Sequence, residues 1–185
     1  NALSDLEHPC QTLADIMTIK EIKGWEGTKV AYVGDGSNVG ASLMLGCTMA
    51  GIDFSTSNPK KYPMNAKLAQ DAGKYAQGSG SKLEFCDSPI DAAKDADVVY
   101  ADAWVSMGEE HMQEEKIKEL APYQVNEELM KHAKGDAVFM HDLPAHKGWE
   151  VTKEVIEGKQ SVVFQQAENR MHAQKALMLF LLGKA

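Results

Sequence analysis

A chain of 185 residues is enough for one ordinary domain that buries a real core without covalent staples. Its formal net charge of −8 argues against a surface for nucleic acid or anionic membrane, so neither partner is expected. Cys10, Cys47 and Cys86 are scattered, show no CxxC spacing, and read as reduced, core thiols of a cytoplasmic protein. No basic and apolar leader opens the chain, and the apolar run 176–182 is too short to cross a bilayer. The chain begins at Asn1 and runs at once into NALSDLEHPCQ, which reads as the interior of a protein; an excised domain is expected.

The first helix is predicted to start near Pro9, where proline suits the first turn. Leu13, Ile16, Met17 and Ile22 give it an apolar stripe, and Gly24 and Gly27 end it. Lys29–Val33 reads as the first strand, GDGSNVG as a turn, and Asn38–Ala50 as a helix. A strand over 52–57, a polar helix over 64–77, a strand over 82–86 and a short helix Pro89–Ala93 follow. Next come a strand over 98–101, an irregular stretch after Asp102, a charged helix over 110–120 and a short helix over 127–133. A fifth strand is predicted over 138–141, a helix over 151–157, a sixth strand over 161–164 and a last helix over 167–182. Strands alternate with helices and no Asn-Gly hairpin occurs. The expected fold is therefore α/β: one domain over 1–185, a doubly wound, mostly parallel, Rossmann-like sheet with helices on both faces. The last helix is apolar nearly all round and needs more cover than one sheet face gives, so a missing domain or partner chain is expected against it.

Several groups could carry chemistry. GDGSNVG lies between a strand and a helix, where backbone N–H groups can meet an anion. It has one residue too many for the dinucleotide fingerprint and lacks the acid after the second strand. The same residues also serve a plain turn capped by Ser37 or Asn38. In DAWVSMG, Asp102 could face an ammonium while Ser106 and loop N–H groups meet polar atoms; a capping acid and a solvent loop is the alternative. His8 and Gln11 share a helix face and can donate to a carbonyl or phosphate oxygen. Arg170 could hold a carboxylate, or form only a surface ion pair. In VFMHDLPA, a buried strand ends in His141, Asp142 and Leu143-Pro144, and the carboxyl end of a strand is where open α/β sheets put ligands. No HxxxH spacing suggests a metal, and no cofactor is expected. The charges over 109–119 read as a solvated helix face.

Taken in order, HPCQ with LAD, GDGSN, DAWVSMG, HDLPA and FQQAENRMH resemble the ornithine carbamoyltransferase family over the whole chain, in its second, ornithine-binding half. The resemblance implies transfer of a carbamoyl group from carbamoyl phosphate to L-ornithine, giving L-citrulline and phosphate in arginine biosynthesis. It implies that His8 and Gln11 bind the carbamoyl group, with Arg170 near the carbamoyl phosphate. Asn38 would hold the α-carboxylate end of ornithine, Asp102 the α-ammonium, with Ser106 and Met107 completing that grip. The Leu143 carbonyl would lie near the reacting amine, and the Leu143–Pro144 bond would be cis. The family's carbamoyl-phosphate domain, with its Ser-Thr-Arg-Thr-Arg type motif and most trimer contacts, would be absent from this chain. Alone, the chain would then be inactive and prone to dimerise through uncovered first and last helices.

One position departs from the family: Asp142 stands where its pattern has a cysteine. The reaction needs a neutral δ-amine, and alkylamines are mostly protonated at neutral pH, with pKa near ~10.4. A carboxylate beside the amine favours the ammonium, which is no nucleophile. It could act as base only if its proton affinity were raised, as a neighbouring Asp102 would do; the two acids form a coupled pair. Asp142, Leu143 and Arg170 are thus the expected catalytic residues. Alternatives are a binding or structural domain without catalysis, and a carbamoyltransferase for another amine.

Overall fold

The computed structural model describes residues 1–105, 108 and 110–184. Five parallel strands, β1 (Lys29–Val33), β2 (Asp53–Ser57), β3 (Leu83–Phe85), β4 (Val98–Tyr100) and β5 (Val138–Met140), form a sheet in the order β3-β2-β1-β4-β5. The strand order reverses between β1 and β4, which opens a crevice at their carboxyl ends. In register, Tyr32 lies beside Tyr100, and Tyr100 beside Met140, so the residues after β1, β4 and β5 emerge at one edge.

The strand side chains alternate between two cores. Val30, Tyr32, Phe54, Val98, Tyr100 and Met140 pack under α1 (Pro9–Ile22), α2 (Asn38–Ala50) and α3 (Ala66–Ser79). The last helix, α8 (Val163–Leu181), lies against α1 on that side. Val33, Val99, Ala101 and Phe139 face α4 (Pro89–Ala93), α6 (Glu127–Met130) and α7 (Lys153–Ile156). The charged helix, α5 (Gln113–Leu120), follows a 3-10 turn at Glu110–Met112.

Short polar side chains start several helices. Ser37 caps α2 by accepting from the Gly40 N–H, and Asn65, Ser88, Asn126 and Thr152 do the same for α3, α4, α6 and α7. Two glycines are needed for packing. A Cβ at Gly36 would stand 2.3 Å from the Pro63 backbone, and one at Gly46 2.3 Å from Thr12 Cγ2, where α1 and α2 cross.

Five expectations are corrected. There is no sixth strand among the described residues: Ser161 makes one isolated bridge to Phe139, and Val163 already begins α8. Val163 packs into the second core, but Phe164 beside it is 80% exposed, so the run only imitates a buried strand in sequence. The buried face of α1 is largely polar, with Gln11, Thr12, Asp15 and Thr18, while Leu13 is 44% exposed. Packed between α2 and α8, α1 is no uncovered helix. The far end of α8 exposes a continuous run of apolar side chains, Met178 to Leu182, and Phe164 and Met171 are exposed earlier on the same helix. Lys116 belongs to no solvated face: it is buried and pairs with Asp35 at 2.7 Å, 5.3 Å from the Tyr62 ring centre. Of the cysteines, Cys47 alone is fully buried; Cys10 and Cys86 are half-buried.

Candidate functional site

The groups singled out in the sequence gather at the carboxyl edge of the sheet. Asp102 follows β4 and is nearly buried. Its Oδ2 accepts from the Ser37 hydroxyl at 2.7 Å, and its Oδ1 from the Ala103 N–H at 2.6 Å. Ser37 comes from the turn after β1, so this bond spans the crevice where the strand order reverses. Ser37 both caps α2 and holds Asp102 in place.

Asp142 follows β5 beside Asp102. Burial raises its carboxyl well above the usual carboxylate range, and Asp102 raises it further, by charge and by a hydrogen bond that needs a shared proton. The charge of Asp15 acts in the same direction. Asp142 Oδ1 also lies 3.4 Å from His141 Nδ1. That nitrogen accepts from the Leu143 N–H at 2.9 Å, so a neutral His141 carries its proton on Nε2. The same bond pins Leu143, which adopts a left-handed φ of 59°, a conformation costing a branched residue about 1 kcal/mol. The Leu143–Pro144 bond is cis, as the resemblance implies.

Behind His141 lies a second carboxylate. Glu150 is fully buried, and its Oε1 is 3.5 Å from His141 Nε2 and accepts from the His146 backbone N–H. The His146 ring stacks on Trp149 with centroids 4.6 Å apart.

Gln11 and Arg170 form the other side. Gln11 is buried on α1, and its Oε1 accepts from Arg170 Nη1 on α8. His8, just before α1, anchors its own N–H on the Ser42 hydroxyl at 2.7 Å, and its Nδ1 lies 3.0 Å from the Ala2 carbonyl. Partial burial and the Arg170 charge lower the His8 pKa below the ordinary imidazole value, against the opposing Ala2 carbonyl and Asp102 carboxylate. His8 is therefore within electrostatic reach of both sides of the site.

Not every expected group converges. Asn38 is half-buried and turned to the amino-terminal segment: its amide donates to the Ser4 carbonyl at 2.7 Å and accepts from the Val39 N–H. Among the described residues its side chain does not bond to Asp102. Ser106 and Met107 lie outside the described residues.

Sequence reading gave no role to the group beneath the site. Asp15, fully buried on α1, accepts from Gln11 at 2.8 Å, from Gln166 of α8 at 2.7 Å and from the Tyr100 hydroxyl at 3.2 Å. A glutamine four residues before an aspartate on one helix was the available signal. Asp15, Asp102 and Asp142 set three carboxyl groups against the Arg170 guanidinium. Such an edge suits cationic groups of a ligand better than an anion. Among the described residues no His, Cys, Asp and Glu cluster could hold a metal, and no helix is long and apolar enough to cross a membrane.

Comparison with known proteins gives this geometry a family. Residues 26–181 match the model described as "Aspartate/ornithine carbamoyltransferase, Asp/Orn binding domain". An ornithine carbamoyltransferase of Bacillus subtilis (strain 168) is 54% identical over 185 residues, covering 100% of this chain and 58% of the relative. In solved structures, the ornithine carbamoyltransferase of Pyrococcus furiosus superposes with a TM-score of 0.93 at 52% identity, over 97% of this chain and 57% of that one. The anabolic enzyme of Campylobacter jejuni gives 0.93 at 40% identity, over 100% and 62%. The chain thus spans somewhat more than half the length of these relatives. Five parallel strands, the crossing at β1 and β4 and a match running from Glu26 to the end of α8 agree: the chain belongs to the aspartate/ornithine carbamoyltransferase family, in its Asp/Orn-binding domain.

Proposed function

We propose that this chain is the ornithine-binding half of an ornithine carbamoyltransferase, which transfers the carbamoyl group of carbamoyl phosphate to L-ornithine. The reading includes a cytoplasmic setting and arginine biosynthesis. The carrying observation is the Asp102–Asp142 acid pair at the carboxyl ends of β4 and β5, set against Gln11 and Arg170. In this reading Asp102, held by Ser37, pairs with the α-ammonium of ornithine, with Ser106, Met107 and Asn38 completing the grip. Asn38 must first exchange its bond to Ser4. The δ-nitrogen sits between Asp142 and the Leu143 carbonyl. Gln11 and His8 donate to the carbamoyl oxygen, and Arg170 stabilises charge that develops on it as phosphate leaves.

Asp142 is the weak point. Where it is ionised it holds the δ-nitrogen as ammonium; where it is protonated it cannot take the amine proton. It therefore permits binding and slows turnover. Phosphate needs more cation than Arg170 alone supplies at so acidic an edge. A separate carbamoyl-phosphate domain supplies it, packs over the exposed apolar turns of α8, and carries the contacts of a trimer. Without it, those turns make this chain self-associate as a dimer.

The test is citrulline formation by this chain with and without a carbamoyl-phosphate domain from a relative. Activity that requires the added domain supports the reading. Failure of ornithine to bind the assembled enzyme, measured calorimetrically, would refute it. Comparing lysine and putrescine with ornithine as acceptors excludes or reveals another amine.

A further inference from the structure

We propose that Asp15 is a positioning residue: it fixes which way the Gln11 and Gln166 amides face, and through them holds Arg170 and the turn after β5 in one geometry. The inference rests on the carbamoyl-transfer reading of Gln11 and Arg170. It follows from donor and acceptor counting. Asp15 Oδ1 receives Nε2 of both glutamines, at 2.8 Å from Gln11 and 2.7 Å from Gln166. Each amide must then turn its oxygen outward. Gln11 Oε1 meets Arg170 Nη1, and Gln166 Oε1 accepts the His141 N–H at 2.9 Å. Tyr100 donates to Oδ2 at 3.2 Å and receives Gln166 Nε2 at 3.0 Å. One carboxylate therefore orients both walls of the site while touching neither substrate. A flipped Gln11 would aim its NH2 at the guanidinium, where it can only repel.

The full set of three donors requires an ionised Asp15: a proton on Oδ1 would turn an amide, and one on Oδ2 would reverse the Tyr100 hydroxyl that Gln166 also meets. A protonated carboxyl donates one hydrogen and must turn one partner around. Burial raises this carboxyl to about 6, against the lowering effects of the Gln11, Gln166 and Tyr100 donors and the Arg170 charge. The other ionisable groups acting across this core are Cys47 from α2 and Asp142 from the turn after β5. The geometric switch accordingly falls near pH 6.

Side-chain amide NMR on this chain tests the proposal without any enzyme assay. The Gln11 and Gln166 amide signals should move together with an inflection near pH 6. Asp15→Asn should abolish that inflection, and Tyr100→Phe, which removes a donor to the carboxylate, should shift it to higher pH. No inflection, or one that persists in Asp15→Asn, overturns the proposal. Should Asp15→Asn not fold, an inflection unmoved in Tyr100→Phe overturns it equally. In the assembled two-domain enzyme, Asp15→Asn should raise KM for carbamoyl phosphate roughly tenfold or more while its pH profile loses the limb near pH 6. An unchanged KM and limb would overturn it. An assembled wild type that forms no citrulline would defeat the carbamoyl-transfer reading, and with it the role assigned to Arg170, leaving the amide titration to decide whether Asp15 sets the amides.

Discussion

Asp15 and Asp142 are both buried acids with raised pKa, yet they sit in opposite kinds of surroundings. Asp15 lies beneath the site, with donors from α1, α8 and β4 on its oxygens. Asp142 lies in the site, beside another acid, and its Oδ1 has no ordinary hydrogen-bond donor among the described residues. The first is saturated and can only hold geometry. The second is open and can exchange its proton with a ligand. The contrast separates positioning from chemistry within a single cluster of carboxyl groups.

The largest expected effect concerns Asp15. Its folded pKa, about 6, lies above the ordinary aspartate value of 3.8, so the protonated form favours folding. That contribution is complete below pH 3.8 and is lost as pH rises through about 6. The difference corresponds to about 2 kcal/mol between pH 4 and pH 8. Denaturant unfolding of wild type and Asp15→Asn at both pH values should show this extra fall in the wild type only; parallel profiles would erase the contrast with Asp142. Asp102→Ala comes next: it removes the partner of the α-ammonium and should weaken ornithine binding to the assembled enzyme by about 2 kcal/mol, read by calorimetry. It also removes the like charge beside Asp142, whose carboxyl pKa should fall, as carboxyl NMR would register. Asp142→Cys should raise citrulline formation roughly tenfold with little change in ornithine affinity; no rise would show that Asp142 does not limit the proton step. Ser37→Ala should be smallest, about 1 kcal/mol of stability from the lost cap, with ornithine affinity falling as Asp102 loses its tether.

Much of the frame is legible in the sequence because its boundaries are chemical. Ser37, Ser88, Pro9 and Pro89 mark helix starts, Gly51 and Gly80 mark ends, and the strand at Lys29–Val33 stands between two glycine turns. The fold fails to announce itself where burial and polarity part company. Ser161 to Phe164 look like a strand because α8 starts with two β-branched or aromatic residues and no side-chain cap, although Phe164 is exposed. Asp15, Gln166 and Lys116 are polar and buried, which a reading by hydropathy places on the surface. At the site, motif order locates Asp102, Asp142, Gln11 and Arg170. The hydrogen bonds that orient them come from residues up to 159 positions away, and no local spacing reveals such pairs.

The last helix carries two environments along one axis. Gln166, Asn169 and Ala173 are buried against the body of the domain, whereas Phe180, Leu181 and Leu182 are each at least 70% exposed. Asn169 bonds to Thr18 and Glu21, and Gln174 reaches the Cys10 carbonyl. Backbone hydrogen bonds alone hold few isolated turns closed against water. Amide hydrogens near Asn169 should therefore exchange with solvent as slowly as those of the sheet, while those of the final turn exchange orders of magnitude faster, and a surface laid over that turn would be read directly as the slowing of its exchange.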